Sequence, residues 1–210
     1  MTQATAGHTL TVVFALALLV VAAYGRSLNN GFAFDDAIFM ERDVRIQAPA
    51  QWRMLLTKPL WLMESDKSAA ASNQYYRPLQ LAPLAASSTW FQGSALPCHL
   101  LNLTLHFLNS LLVYGLLRRV FLGPNPALLM AALFAVHPAL SESVLWVSDV
   151  AGLGATFCML ALTLVPARKH GSFVGATLVG ALYLGAMGFK ETGLLAPLLL
   201  VAFDVTARRS

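Results

Sequence analysis

Charge is scarce in this chain of 210 residues: only 11 % of it is Asp, Glu, Lys or Arg, against about 25 % in an average soluble domain. That scarcity excludes a disordered chain, a coiled coil and a conventional soluble enzyme. Cysteine is nearly absent too. Cys98 and Cys158 lie far apart in apolar surroundings, so neither a disulfide framework nor a CxxC metal site can be built. No Lys or Arg precedes Arg26, so the first apolar run lacks the basic n-region of a cleaved signal peptide and reads as a retained helix. There is no internal repeat and no low-complexity tract. What fills the sequence is apolar: 57 % hydrophobic residues, with a mean hydropathy of +0.64. The net charge is +4, which in a soluble chain would hint at nucleic acid. In an apolar chain it is a question of membrane sidedness, and no nucleic-acid partner is expected.

A membrane core about 30 Å thick takes about 20 apolar residues per helix, with about 17 tolerated. Candidate spans are 9–25, 99–117, 127–137, 150–165, 173–189 and 192–203. Pro138 is expected to end the third, because the residue before a proline leaves the helical region. The predicted fold is therefore an all-α integral membrane protein of about six transmembrane helices in one membrane domain, with the first span at 9–25, a long outer loop at 26–96 and five further spans over 97–204. The loop holds seven of the fourteen basic residues and six of the ten acids. Trp52, Leu55, Leu56, Leu60, Trp61 and Met63 suggest short interfacial helices there, and 75–90 reads as a further interfacial or tilted helix.

Charge sets the expected orientation. The pairs Arg118-Arg119, Arg168-Lys169 and Arg208-Arg209 sit in short acid-free segments, and all three fall on one side if both termini are cytoplasmic. Glu142, Asp149, Lys190 and Glu191 then lie on the outer side with the loop.

Polar residues inside a span mark packing seams or function. His99, Asn102, His106 and Asn109 recur at steps of three and four, which puts them on one helix face. The two histidines are seven residues apart, a rise of about 10 Å, too far to share one zinc at bonds of about 2 Å. A hydrogen-bonded packing seam and a polar cleft both fit. The sequon at Asn102 falls inside a span and is set aside. Gly175, Ala176, Gly180, Ala181 and Gly185 permit close helix contact on the fifth span.

Asp35 and Asp36 follow the first span closely. Either they form a solvated acidic turn, or one carboxylate faces a site while the other holds the loop. A neighbouring charge and partial desolvation would raise such a carboxylate toward useful base territory. Arg77, beside Tyr75, Tyr76 and Pro78, suits a phosphate or lipid headgroup, or a structural anchor. With His137, Glu142 and Lys190 these groups converge on the outer side.

Five motifs in order carry a resemblance: Asn29–Asp36 (NNGFAFDD), Tyr75–Leu79 (YYRPL), Pro97–Asn109 (PCHLLNLTLHFLN), His137–Trp146 (HPALSESVLW) and Phe189–Pro197 (FKETGLLAP). Together they resemble the N-terminal part of GT-C superfamily polytopic glycosyltransferases, in particular the transmembrane O-mannosyltransferases that target cadherins and their bacterial relatives with tetratricopeptide tails. The resemblance implies transfer of a sugar from a polyprenyl-phosphate carrier to an acceptor hydroxyl on the outer face, with inversion and without metal or other cofactor. Asp35 or Asp36 would be the base, and Arg77, His99, His106, His137, Glu142 and Lys190 would shape the substrate pocket. Two departures stand out. Val150 occupies the place of an expected arginine and Gly152 that of an expected acid, for which Asp149 is the nearest substitute. Relatives also carry further spans, so a chain ending at Ser210 is expected to be a fragment or a truncated relative. A bacterial inner membrane is expected ahead of the endoplasmic reticulum.

Two functions compete: a lipid-linked-sugar glycosyltransferase, and a non-catalytic membrane subunit that retains the helices inside a larger complex. An ion or proton carrier is disfavoured, since no acid lies at a span centre. Other membrane subunits, or a further C-terminal part, are expected to cover the polar seam.

Overall fold

The computed structural model describes residues 3–61, 75–120, 123–166 and 171–207, and every regular element in them is helical. In chain order these are α1 (Gln3–Tyr24), α2 (Asp35–Arg42), α3 (Val44–Gln47), α4 (Pro78–Trp90), α5 (Leu96–Val120), α6 (Pro124–Ala135), α7 (Ser141–Leu145), α8 (Val150–Leu164), α9 (Phe173–Phe189) and α10 (Ala196–Ala207). Short 3-10 turns extend them at Gly25–Asn29, Pro49–Leu56, Pro138–Leu140, Val147–Asp149 and Glu191–Leu195.

α5 is the central helix, packed on α1, α6 and α8, with α9 laid against the far side of α8. α1 buries Val12, Leu16, Val20 and Tyr24, one stripe at steps of four. They meet Leu103, Leu105, Ala131, Ala135, Val144, Val150 and Leu153 in one core. The opposite face of α1 stays open, with Leu10, Phe14, Leu18 and Val21 exposed, as a lipid-facing stripe requires. The small residues of α9 work inside the chain as well: a Cβ on Gly185 would lie 3.1 Å from Cys158 Sγ of α8, and one on Gly154 of α8 would lie 2.5 Å from the Phe189 ring. Gly180 faces open space.

The span count differs from the expectation. Among the described residues three helical stretches are long and apolar enough to cross a membrane: Gly7–Asn29, Leu96–Arg119 and Val147–Leu164. A fourth follows if α6 and Pro138–Leu145, bent by 49°, count as one span. The bend falls at the predicted break before Pro138. α9 has 17 residues and α10 has 12, which at 1.5 Å per residue is about 26 Å, at the tolerated limit, and about 18 Å, short of a 30 Å core. The pairs Arg168-Lys169 and Arg208-Arg209 lie outside the described residues; of the three, only Arg118-Arg119 is seen, in the last turn of α5.

The polar loop is a packed unit rather than a set of helices lying separately. Phe39, Ile46, Leu55, Leu60, Leu81, Leu84 and Ala85 bury together against Cys98 and Val147. Trp52 and Leu55 lie in a 3-10 turn, Leu60 and Trp61 are not helical, and Met63 lies outside the described residues. An ion pair sits in this unit: Arg45 is fully buried against Asp43.

Candidate functional site

The loop after α1 ends in a strained residue. Phe34 has φ +50° and ψ −122°, a backbone region costly for any side chain with a Cβ. It is 81 % exposed and meets Trp146 only edge-on, at 6.4 Å between ring centroids. The strain delivers two carboxylates to the first turn of α2, where the helix dipole favours negative charge. Their fates diverge. Asp36 is buried and accepts the Ser148 backbone N–H at 2.8 Å and the Ser148 hydroxyl at shorter range, across 112 residues of chain. Burial pushes its pKa up, against the pull of those hydrogen bonds. Asp35 is half-buried and has no side-chain partner among the described residues.

The segment that grips Asp36 is itself fixed. Asn102 of α5 donates to the Trp146 carbonyl at 2.8 Å. Asp149, the residue after Ser148, receives Lys190 Nζ at 3.4 Å. Its carboxylate lies back over Gly152, where a Cβ would sit 2.7 Å from Oδ1. The acid at 149 therefore fills the space a side chain at 152 would enter. Val150 is buried in the apolar core.

Beyond Lys190 the turn Glu191–Leu195 folds back on α9. A Cβ on Gly193 would lie 2.5 Å from the Ala186 carbonyl carbon, so only glycine permits this approach. The turn carries Glu191 to Arg77, which donates through Nε at 2.8 Å and Nη2 at 2.5 Å. Arg77 also donates to Gln80 at 3.3 Å and lies 4.9 Å from the centre of the Tyr75 ring. The guanidinium holds the Glu191 carboxyl below its ordinary pKa, so the bridge persists as pH falls into the range where a free glutamate protonates. Beside it opens a cavity of about 490 Å³ lined by Tyr75, Tyr76, Leu184, Met187, Gly188 and Leu194. Gly193→Ala is expected to push this turn off α9 at a cost of about 1–3 kcal/mol. A thermal melt equal to the parent's would contradict the close approach.

The expected convergence is thus met in part. Three separate polar contacts, Asp36 with Ser148, Asp149 with Lys190 and Glu191 with Arg77, involve residues that follow one another in the chain at 148–149 and 190–191. His137 and Glu142 stand outside them. His137 is exposed, with Nδ1 accepting the Ala139 N–H as a cap, and Glu142 is exposed with no side-chain partner among the described residues. His99, Asn102, His106 and Asn109 are all buried, and each addresses a backbone carbonyl: Gly31 at 3.4 Å, Trp146 at 2.8 Å, Ala135 at 2.9 Å and Leu153 at 3.1 Å. His106 stacks on Phe134 and meets Tyr24 edge-on. The seam finds part of its polar partners inside this chain, while His99 Nδ1, Asn102 Oδ1 and Asn109 Oδ1 are buried without one among the described residues. Of these groups His99 is the one that reaches the loop before Asp35. Ser148 and Glu191 escaped assignment from sequence: a serine carries no chemical signature, and Glu191 gains its role only from the turn at Gly193.

No protein-family model matches the chain, and no solved structure matches it. Named relatives do. Over 198 residues it is 33 % identical to protein O-mannosyl-transferase TMTC1 of Homo sapiens, covering 86 % of this chain and 22 % of that protein. It is 32 % identical over 200 residues to protein O-mannosyl-transferase Tmtc1 of Drosophila melanogaster, covering 89 % and 22 %, and 30 % identical over 183 residues to TMTC3 of Mus musculus, covering 84 % and 19 %. The chain spans about a fifth of the length of these relatives. All three come from animals, which does not favour the expected bacterial inner membrane.

Proposed function

On a resemblance to protein O-mannosyl-transferases that covers most of this chain, we propose that it takes part in mannosyl transfer from a polyprenyl-phosphate carrier to a protein hydroxyl. One observation carries the assignment of roles: Asp36 is pinned by Ser148 while its neighbour Asp35 has no side-chain partner among the described residues. Asp35 removes the acceptor proton as the acceptor oxygen attacks the anomeric carbon. The bond from that carbon to the carrier phosphate breaks, polyprenyl phosphate leaves, and the configuration inverts. Arg77 binds the carrier phosphate, which its guanidinium fork suits. Lys190 is held by Asp149 at the same rim. The test is incubation of the purified chain with polyprenyl-phosphate mannose and a Ser/Thr-rich peptide, read by mass. Mannosylated peptide is the expected result. No product, or product formed only from a nucleotide sugar, rejects the proposal.

A non-catalytic subunit is the second reading, favoured by Val150, which is buried where the resemblance places an arginine. A stable complex with other membrane proteins that shows no transfer would select it.

The loop is proposed to face the outer side, with both termini cytoplasmic. Cys98 and Cys158 are buried, so a Lys58→Cys variant reports alone. Labelling of intact cells from outside is expected; labelling only after the inner side is opened reverses the orientation.

A further inference from the structure

We infer that Glu191 is a built-in competitor for Arg77, an internal anion that an amphiphile bearing a phosphate monoester must displace. The inference rests on the reading of Arg77 as a phosphate group's partner and adds how access to it is controlled. Arg77 and Glu191 make a fork-to-fork pair at 2.8 and 2.5 Å, which is the geometry a guanidinium also offers two phosphate oxygens. The pair is unequal in burial: the Arg77 side chain is 16 % exposed and Glu191 47 %. The carboxylate can therefore swing into water while the guanidinium stays in place, seated on Tyr75 and Gln80. Solvent at the half-exposed carboxylate screens the pair, so a doubly charged phosphate can compete for the guanidinium.

The shape of the site selects the ligand class. The cavity beside the pair is walled by Leu184, Met187 and Leu194 with the rings of Tyr75 and Tyr76, and Glu191 is its charged edge. A ligand with an apolar chain and one anionic head matches that division. The Gly193 turn that cannot retreat from α9 keeps Glu191 in reach.

The probe is a long-chain alkyl phosphate, titrated calorimetrically into the full chain in a non-ionic detergent. Inorganic phosphate and the matching alkyl alcohol serve as the other two arms. Glu191→Gln is expected to bind the alkyl phosphate about three- to tenfold more tightly, since about 1.4 kcal/mol is tenfold. Arg77→Gln is expected to lose binding. Leu184→Trp, which narrows the cavity and leaves the ion pair intact, is expected to weaken it. Equal binding of inorganic phosphate would show a free-anion site and overturn the amphiphile. An unchanged affinity in Glu191→Gln, with a parental melt, would overturn the competitor. Should that variant misfold, Glu191→Asp, whose shorter reach loosens the fork, must still tighten binding. None of these measurements needs turnover. Binding as expected with no mannosyl transfer would sink the transferase proposal alone.

Discussion

Asp35→Asn is expected to lower mannosyl transfer by about 10²–10⁴-fold, the usual worth of a general base, while lowering the melting temperature only slightly. The side chain has no hydrogen-bond partner to lose among the described residues, so its removal costs the fold little beyond its charge in the first turn of α2, about 0.3–1 kcal/mol. Asp36→Asn should behave in the opposite way. Its carboxylate accepts two Ser148 donors on Oδ1 in a buried site; the amide oxygen of Asn can take the same place but without the charge. Hydrogen bonds to a charged group are worth about 1.5–3 kcal/mol, but the neutral amide escapes the desolvation that raises the pKa of Asp36. The net change in stability therefore depends on pH. An acid whose folded pKa lies above its unfolded value contributes stability that is full below the unfolded value and is lost as pH rises through the folded one. The parent chain should lose ground against Asp36→Asn across that window, which starts at the ordinary aspartate value of 3.8 and extends upward. Any loss of transfer in Asp36→Asn should then be reversed in part by conditions that stabilise the fold, whereas that in Asp35→Asn should not. Equal and mild losses in both variants would remove this pair from the chemistry.

Where the sequence was legible, the cause is local. α9 occupies the same residues as the predicted fifth span, because an uncharged run bounded by charge leaves its helix few alternatives. Pro138 breaks the third span for a reason confined to one ring. The division of labour between two adjacent carboxylates was open as one of two alternatives, but which one is buried depends on Ser148, and no pattern announces a contact across 112 residues. The seam on α5 was legible as a face, and its role was not. Its partners are carbonyls, several of them released where α6 and α7 stop, and a broken helix supplies acceptors that composition cannot show. The span count is matched only in part among the described residues, for another reason. Hydropathy measures whether a segment tolerates lipid, whereas helix length and bends decide whether it crosses.

Arg45→Met is expected to be the most damaging single change outside the site, at about 3–5 kcal/mol, the usual result of breaking a buried ion pair by removing one partner. Arg45 receives no solvent and satisfies several acceptors at once. Nε reaches both Asp43 oxygens at 2.9 and 3.1 Å, Nη2 reaches Asp43 and the Leu60 carbonyl at 2.5 Å each, and Nη1 reaches the Pro59 carbonyl at 2.7 Å. Methionine fills much of the volume but leaves the Asp43 carboxylate with only the backbone N–H of residue 45, at 2.9 Å, and strips two carbonyls of their donors. Lysine should not rescue it, because a single ammonium cannot span a fork and two carbonyls. The double variant Asp43→Asn/Arg45→Met should recover part of the loss by removing the stranded charge, which would separate charge burial from simple packing. The damage should also travel. Leu60, fixed by Arg45, donates its backbone N–H to the Tyr75 carbonyl at 2.6 Å, and Tyr75 lies under the Arg77 guanidinium. Loss of Arg45 should therefore weaken alkyl phosphate binding at a site that this residue never touches. A parental melt in Arg45→Met would show that the pair is ornamental. A lowered melt with parental phosphate affinity would show that the loop unit and the Arg77 site are mechanically independent.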